Sequence, residues 1–77
     1  MTGRQPCAVP HCRRTRKDDG RFNEWICDRH WRIINPVLRR RFRRATRKMI
    51  AGRAPIELHH TLWQLCREQA IDRAMGI

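Results

Sequence analysis

"CAVPHC" (residues 7–12) and "CDRHW" (residues 27–31) decide how this chain is read. They set Cys7 near Cys12 and Cys27 near His30, in the pattern C-x4-C-x14-C-x2-H. A tetrahedral zinc ion takes four thiolate or imidazole ligands, commonly as two close pairs from distant parts of a chain. Val9-Pro10 supplies a turn for the first pair. In the second, positions i and i+3 on the opening turn of a helix point two side chains the same way, and Trp31 follows where it can pack over the site. A knuckle, an intervening hairpin and a ligand-bearing helix start form a treble-clef-like layout. The expectation is one structural Zn2+ on Cys7, Cys12, Cys27 and His30. Four protein ligands leave no open position for water, so the ion is not expected to be catalytic.

Competing readings of the same side chains are weaker. Two disulfides would need an oxidising compartment and would leave His30 without a role. "MTGRQPCAVP" lacks the apolar stretch of a secretory signal, and no run approaches the roughly 18 apolar residues of a membrane span. A cytoplasmic setting is therefore expected, nucleoid-associated if the partner is DNA, and there paired cysteines read as metal ligands. His11 is an alternative to Cys12, but adjacent turn residues seldom both reach one ion, and thiolate binds zinc well. Cys66 falls in the apolar arc of the last helix and reads as a small core residue. His59 and His60 have no second metal motif or carboxylate pair nearby and read as helix surface.

The 77 residues allow one small domain with a modest core, the size class that usually needs a metal or disulfide staple. Residues 1–6 read as a disordered lead-in, 7–34 as the zinc module, and 35–77 as a two-helix region packed on it. Asp19-Gly20 is a hairpin signal, and "RFNEWIC" is expected to return the chain to Cys27. "DRHWRII" makes about two helical turns before Asn35-Pro36, where the residue preceding proline is pushed out of the α region. Asn35 as N-cap and Pro36 as first helical residue then open a second helix, ending at Ala51 before Gly52. Its apolar residues Leu38, Phe42, Ala45 and Met49 fall within a stripe of about 60°. A last helix covers about 56–75, with Leu58/Leu62/Leu65 on one stripe and Trp63/Cys66/Ala70/Ala74 on another. One stripe is expected on Leu38, Phe42 and Met49; the other on Trp31 and the module, or on a second copy in a homodimer. The fold class is mostly α: a small zinc-stabilised domain whose treble-clef-like module precedes an antiparallel helical hairpin.

The net charge of +11 is unevenly placed. From Arg29 to Arg53 there are ten Lys or Arg and no acid, whereas Ala54 to Ile77 sets two arginines against Glu57, Glu68 and Asp72. Solubility is ordinarily served by mixed signs; a concentrated field favours a polyanion, nucleic acid foremost. Arg39, Arg40, Arg41, Arg43, Arg44, Arg47 and Lys48 cover the half of the second helix opposite its apolar stripe. Guanidinium groups bind phosphate and guanine edges in bidentate fashion. The candidate nucleic-acid contacts are Arg13, Arg14, Arg32, Arg39, Arg40, Arg43, Arg44, Arg47 and Lys48. Arginines near the cage, Arg13, Arg14, Arg29 and Arg32, would also offset the formal −1 of three thiolates and a divalent ion. No asparagine or glutamine stands on the basic face, which weighs against adenine readout, and structured RNA stays open beside DNA.

"CAVPHC…WICDRHWR" resembles the short C-x4-C…C-x2-H zinc modules of small bacteriophage and prophage proteins, and those beside HNH-type homing endonucleases. The resemblance covers roughly residues 5–33. It implies zinc on Cys7, Cys12, Cys27 and His30 and association with DNA or RNA. This chain has histidine where those modules often carry glycine, at position 11, and a longer charged insert before Cys27. No HNH catalytic set is present, and a minimal nuclease is not expected. The leading expectation is a zinc-stabilised DNA-binding regulator or accessory factor of a phage or mobile element. The alternative is an adaptor that docks on an acidic host protein through the same arginines.

Overall fold

The structure, a computed structural model, describes residues 3–18 and 24–76. Its elements are strands β1 (Arg4–Pro6) and β2 (Thr15–Lys17), then helices α1 (Asp28–Arg32), α2 (Pro36–Ile50) and α3 (Ile56–Met75). It is small and mostly helical, with one two-stranded sheet.

The boundaries of the two long helices follow local chemistry. Asn35 Oδ1 accepts the Val37 N–H at 2.8 Å, and Pro36 fills the first helical position, where a missing N–H costs nothing. At the other end Gly52 takes φ +73°. Its N–H donates to the Met49 carbonyl at 3.0 Å while the Arg53 N–H reaches Lys48 at 2.8 Å. That bond pair is a Schellman motif, which favours glycine at the left-handed position. α3 also ends on a left-handed glycine, Gly76, φ +75°, whose N–H donates to the Arg73 and Asp72 carbonyls.

The helices run antiparallel: Asn35 meets Gln69, while Phe42 meets His59 and Trp63 at ring-centroid distances of 4.9 and 5.7 Å. Along α2 the expected stripe faces inward, with Ala45 buried and Leu38, Phe42 and Met49 half-buried. Along α3 the inward face is Trp63, Cys66 and Ala70, the last two fully buried. Trp31 packs edge-on to Phe42 at 5.6 Å, and both belong to the layer around Cys66 and Ala70. One α3 face therefore serves both the module and α2, in place of the two separate stripes that periodicity predicts. Small residues at 66 and 70 let backbones approach closely enough for that. Leu58 and Leu65 remain 45% exposed, and Ala74 is exposed.

At the front of the chain, residues 4–6 depart from the expectation. Residues 1–6 read as a disordered lead-in, yet Arg4–Pro6 pairs antiparallel with Thr15–Lys17 in the register Arg4↔Lys17, Gln5↔Arg16, Pro6↔Thr15. Gln5 is buried and accepts from Arg16 Nε at 2.9 Å. The two strands flank the Cys7–Cys12 turn, so closing the turn brings them together; the polar "RQP" carries no alternating pattern to announce it. The expected hairpin tip, Asp19-Gly20, and Phe22 lie outside the described residues. Glu24–Cys27 forms no strand but touches the knuckle through the Ala8 N–H, which donates to the Trp25 carbonyl at 2.7 Å.

The core consists of Cys7, Val9, Ile26, Cys27, Ile34, Cys66 and Ala70. It joins the knuckle, the α1–α2 junction and the middle of α3. The molecule is flat, with extents of 36 × 36 × 16 Å. Among the described residues no helix is long and apolar enough to cross a membrane.

Candidate metal centre

Cys7 follows β1 directly, and its N–H donates to the Arg14 carbonyl at 3.0 Å, extending the ladder to the rim of the knuckle. The turn then closes by a bond from the Cys12 N–H to the Val9 carbonyl at 3.2 Å. His11 takes φ +67°, the left-handed conformation that glycine favours and that histidine tolerates better than most residues. The glycine-for-histidine difference at position 11 thus leaves the turn intact.

The second pair comes from α1. Cys27 is its extended N-cap residue and accepts the first helical bond, from the Trp31 N–H at 2.8 Å. His30 stands one turn further on. Cys27 Sγ lies 3.2 Å from His30 Nδ1, Cys7 Sγ 3.7 Å from the same nitrogen, and Cys12 Sγ 3.9 Å from Cys27 Sγ. All four ligand atoms lie within 4.8 Å of one another, so Cys7, Cys12, Cys27 and His30 could hold a metal ion. Cys7 and Cys27 are buried; Cys12 and His30 are half-buried. The cysteines are free thiols, Cys66 standing apart from the cage. His11 sits at the exposed corner of the turn and is not in the cluster.

The electrostatics suit ligation. Burial pushes both inner thiols up, and Cys7 stays above its ordinary value. At Cys27 burial is outweighed by the His30 and Arg29 N–H groups and the neighbouring thiols, so this thiol ionises more readily than a free one. The Cys27 N–H in turn donates to Cys7 Sγ at 3.3 Å. Burial, with the charges of Arg29 and Arg14, holds His30 below its usual range, keeping the imidazole in its neutral, metal-binding form.

The arginines expected as one set fall on two surfaces. Arg13, Arg14 and Arg29 line a groove beside the cage. Arg40, Arg41, Arg43, Arg44 and Arg47 line a second surface, with Val37 among them. Lys48 is exposed on α2 and Arg32 on α1. Arg39 differs: it is half-buried, and its Nε donates to the Ile34 carbonyl at 3.2 Å, tying the helix to the α1–α2 junction. Among the described residues none of these cations has a carboxylate within ion-pair range.

Several positioning residues escape a reading by motif. Glu24 accepts from Trp63 Nε1 at 3.3 Å and Arg67 Nη1 at 3.1 Å, tying the segment before Cys27 to α3. Gln69 Oε1 accepts the Asn35 N–H, and Arg73 Nη1 donates to the Ile33 carbonyl at 2.5 Å. His59 is half-buried against Phe42, a correction to its reading as surface. Its spacing of four from Trp63 puts it on the inward stripe and is the available signal. Burial and the neighbouring His60 lower its pKa. Cys66 behaves as the core residue expected, its thiol pushed up to about 11 by burial.

No family model matches the chain, and comparison with curated proteins and with solved structures gives no match.

Proposed function

We propose that this chain is a zinc-stabilised nucleic-acid-binding protein in which one structural zinc ion holds a treble-clef-like module and α2 presents its arginines to duplex DNA. For Zn–S of about 2.3 Å and Zn–N of about 2.0 Å, a tetrahedral shell requires S···S near 3.8 Å and S···N near 3.5 Å. Three of the six cage separations, 3.9, 3.7 and 3.2 Å, lie close to those edges, and all lie within 4.8 Å. Three soft thiolates and an imidazole suit zinc far better than calcium or magnesium. With four protein donors the ion's role is mechanical.

The observation that carries the functional reading is the exposure of Arg40, Arg41, Arg43, Arg44, Arg47 and Lys48 on one side of a 15-residue helix. Six like charges repel one another, and a polyanion relieves that repulsion. A helix of this length is about 22 Å long, and the B-DNA major groove, about 12 Å wide, admits one. The opposite face of α2 is fixed on α3, and Glu24, Ile33 and Asn35 tie that helix to the module. The likeness of the module to those of phage and mobile-element proteins fits a regulator or accessory factor.

Fluorescence anisotropy of the zinc-loaded protein with a short labelled duplex, an RNA hairpin and an acidic peptide tests the reading. Salt-sensitive binding to the duplex, lost when a chelator strips the ion, is the expected result. Binding to the acidic peptide alone would replace it with the adaptor reading.

A further inference from the structure

An open groove of about 510 Å³ adjoins the cage, with Cys12 and His30 among the residues that line it, and shares no lining residue with the α2 surface. Arg13 and Arg14, just after the knuckle, and Arg29 of α1 line the groove. Pro10, Ala74 and Met75 add apolar surface to the lining, the last two from the final turn of α3. Among the described residues no carboxylate lines the groove.

Offsetting the cage charge does not use up these cations. Three thiolates with a divalent ion carry a formal −1, while Arg13, Arg14 and Arg29 carry +3, leaving +2 beside a concave surface. Guanidinium groups match phosphate oxygens in bidentate fashion and are weakly hydrated, which suits them to phosphoryl recognition. The volume, which includes the space at Cys12 and His30, exceeds what a bare phosphate needs. The apolar wall has no use for an inorganic anion but suits the flat body of a base.

We propose that this groove is a nucleotide site, with Arg13, Arg14 and Arg29 on a phosphoryl group and the Pro10–Met75 wall against the base or sugar. It goes beyond the DNA reading, because it does not require α2 to touch a duplex. The phosphoryl group comes either from a free mononucleotide or from a 5′-phosphorylated strand end.

The test uses the zinc-loaded full chain and isothermal titration with adenosine monophosphate, adenosine and inorganic phosphate. Single-site binding of the monophosphate, at least about tenfold tighter than either fragment, is expected; loss of charged hydrogen bonds should weaken it about tenfold or more in Arg13→Ala/Arg14→Ala. Arg29→Ala, on a different element, should weaken it too. Replacement of Arg40, Arg43, Arg44 and Arg47 by alanine should leave it unchanged. Zinc content and far-ultraviolet circular dichroism verify that each variant is folded. A 5′-phosphorylated single strand that competes better than its 5′-hydroxyl counterpart identifies the strand end as the source; equal competition identifies the free nucleotide. Absence of monophosphate binding, or loss of it in the α2 variant with retention in Arg13→Ala/Arg14→Ala, overturns the groove. Duplex binding by the same wild-type sample would then leave the DNA reading standing.

Discussion

Replacing Arg40, Arg43, Arg44 and Arg47 with alanine removes four of the six exposed cations of α2 and leaves Arg41 and Lys48. Each duplex phosphate neutralised contributes about −0.9 to the slope of log K against log salt. Six contacts set an upper slope of about −5.4, so raising salt from about 50 to about 200 mM weakens binding by about 10³-fold. In the variant two contacts remain, the slope falls to about −1.8, and the same change weakens binding only about tenfold. The four side chains point away from α3, and alanine is the better helix former, so circular dichroism should hold or gain helicity. Replacing the same four with lysine should preserve the slope while weakening binding at every salt concentration, because a point charge cannot make the bidentate contact. The assay is anisotropy on a labelled duplex across a salt series. A quadruple-alanine variant that keeps the wild-type slope refutes the assignment of α2 as the interface.

The remaining predictions concern the cage and the core. Cys27→Ser removes a buried ligand that stands 3.2 Å from His30 Nδ1 and 3.9 Å from Cys12 Sγ, so elemental analysis should find less than one ion per chain, with loss of ordered structure around the module; full zinc occupancy would rule the cage out. His11→Gly relieves a left-handed non-glycine residue and should raise the melting midpoint by a few degrees at fixed excess zinc, whereas β-branched His11→Val should lower it; the reverse order would contradict the turn geometry. His59 titrates lower in the fold than in the unfolded chain, so the folded state binds fewer protons and stability rises with pH across that window. Its contribution is complete above about pH 6.5 and is lost as pH falls through the folded value. The loss below about pH 6.5 should be shallower in His59→Leu, measured by denaturant midpoints at saturating zinc; identical profiles would remove His59 from the account.

Much of this architecture is legible in the sequence because single residues carry it. Asn35-Pro36 and Gly52 mark helix ends through backbone chemistry that depends on nearest neighbours alone, and the observed caps use those residues. The four cage residues are legible because thiols and an imidazole at such spacing have few roles open to them besides holding a metal. What stays hidden depends on distant partners. Arg4–Pro6 becomes a strand only because the knuckle brings Thr15–Lys17 alongside it. Glu24, Gln69 and Arg73 look like ordinary surface residues until the fold sets them against Trp63, Asn35 and Ile33. The division of the arginines between two surfaces is equally invisible, since a charge tally has no direction. Periodicity does place His59 with Trp63, but a hydrophobicity scale discounts a polar residue there and does not anticipate the aromatic neighbour that the Phe42 ring gives it.

Residues 33–35, where α1 hands over to α2, are gripped by Gln69 and Arg73 of α3. Cys27 and His30 lie only a few positions earlier, so this junction joins the cage to the first turn of α2. An ion seated in the cage would share with Gln69 and Arg73 the positioning of the first turn of α2, across only a few residues.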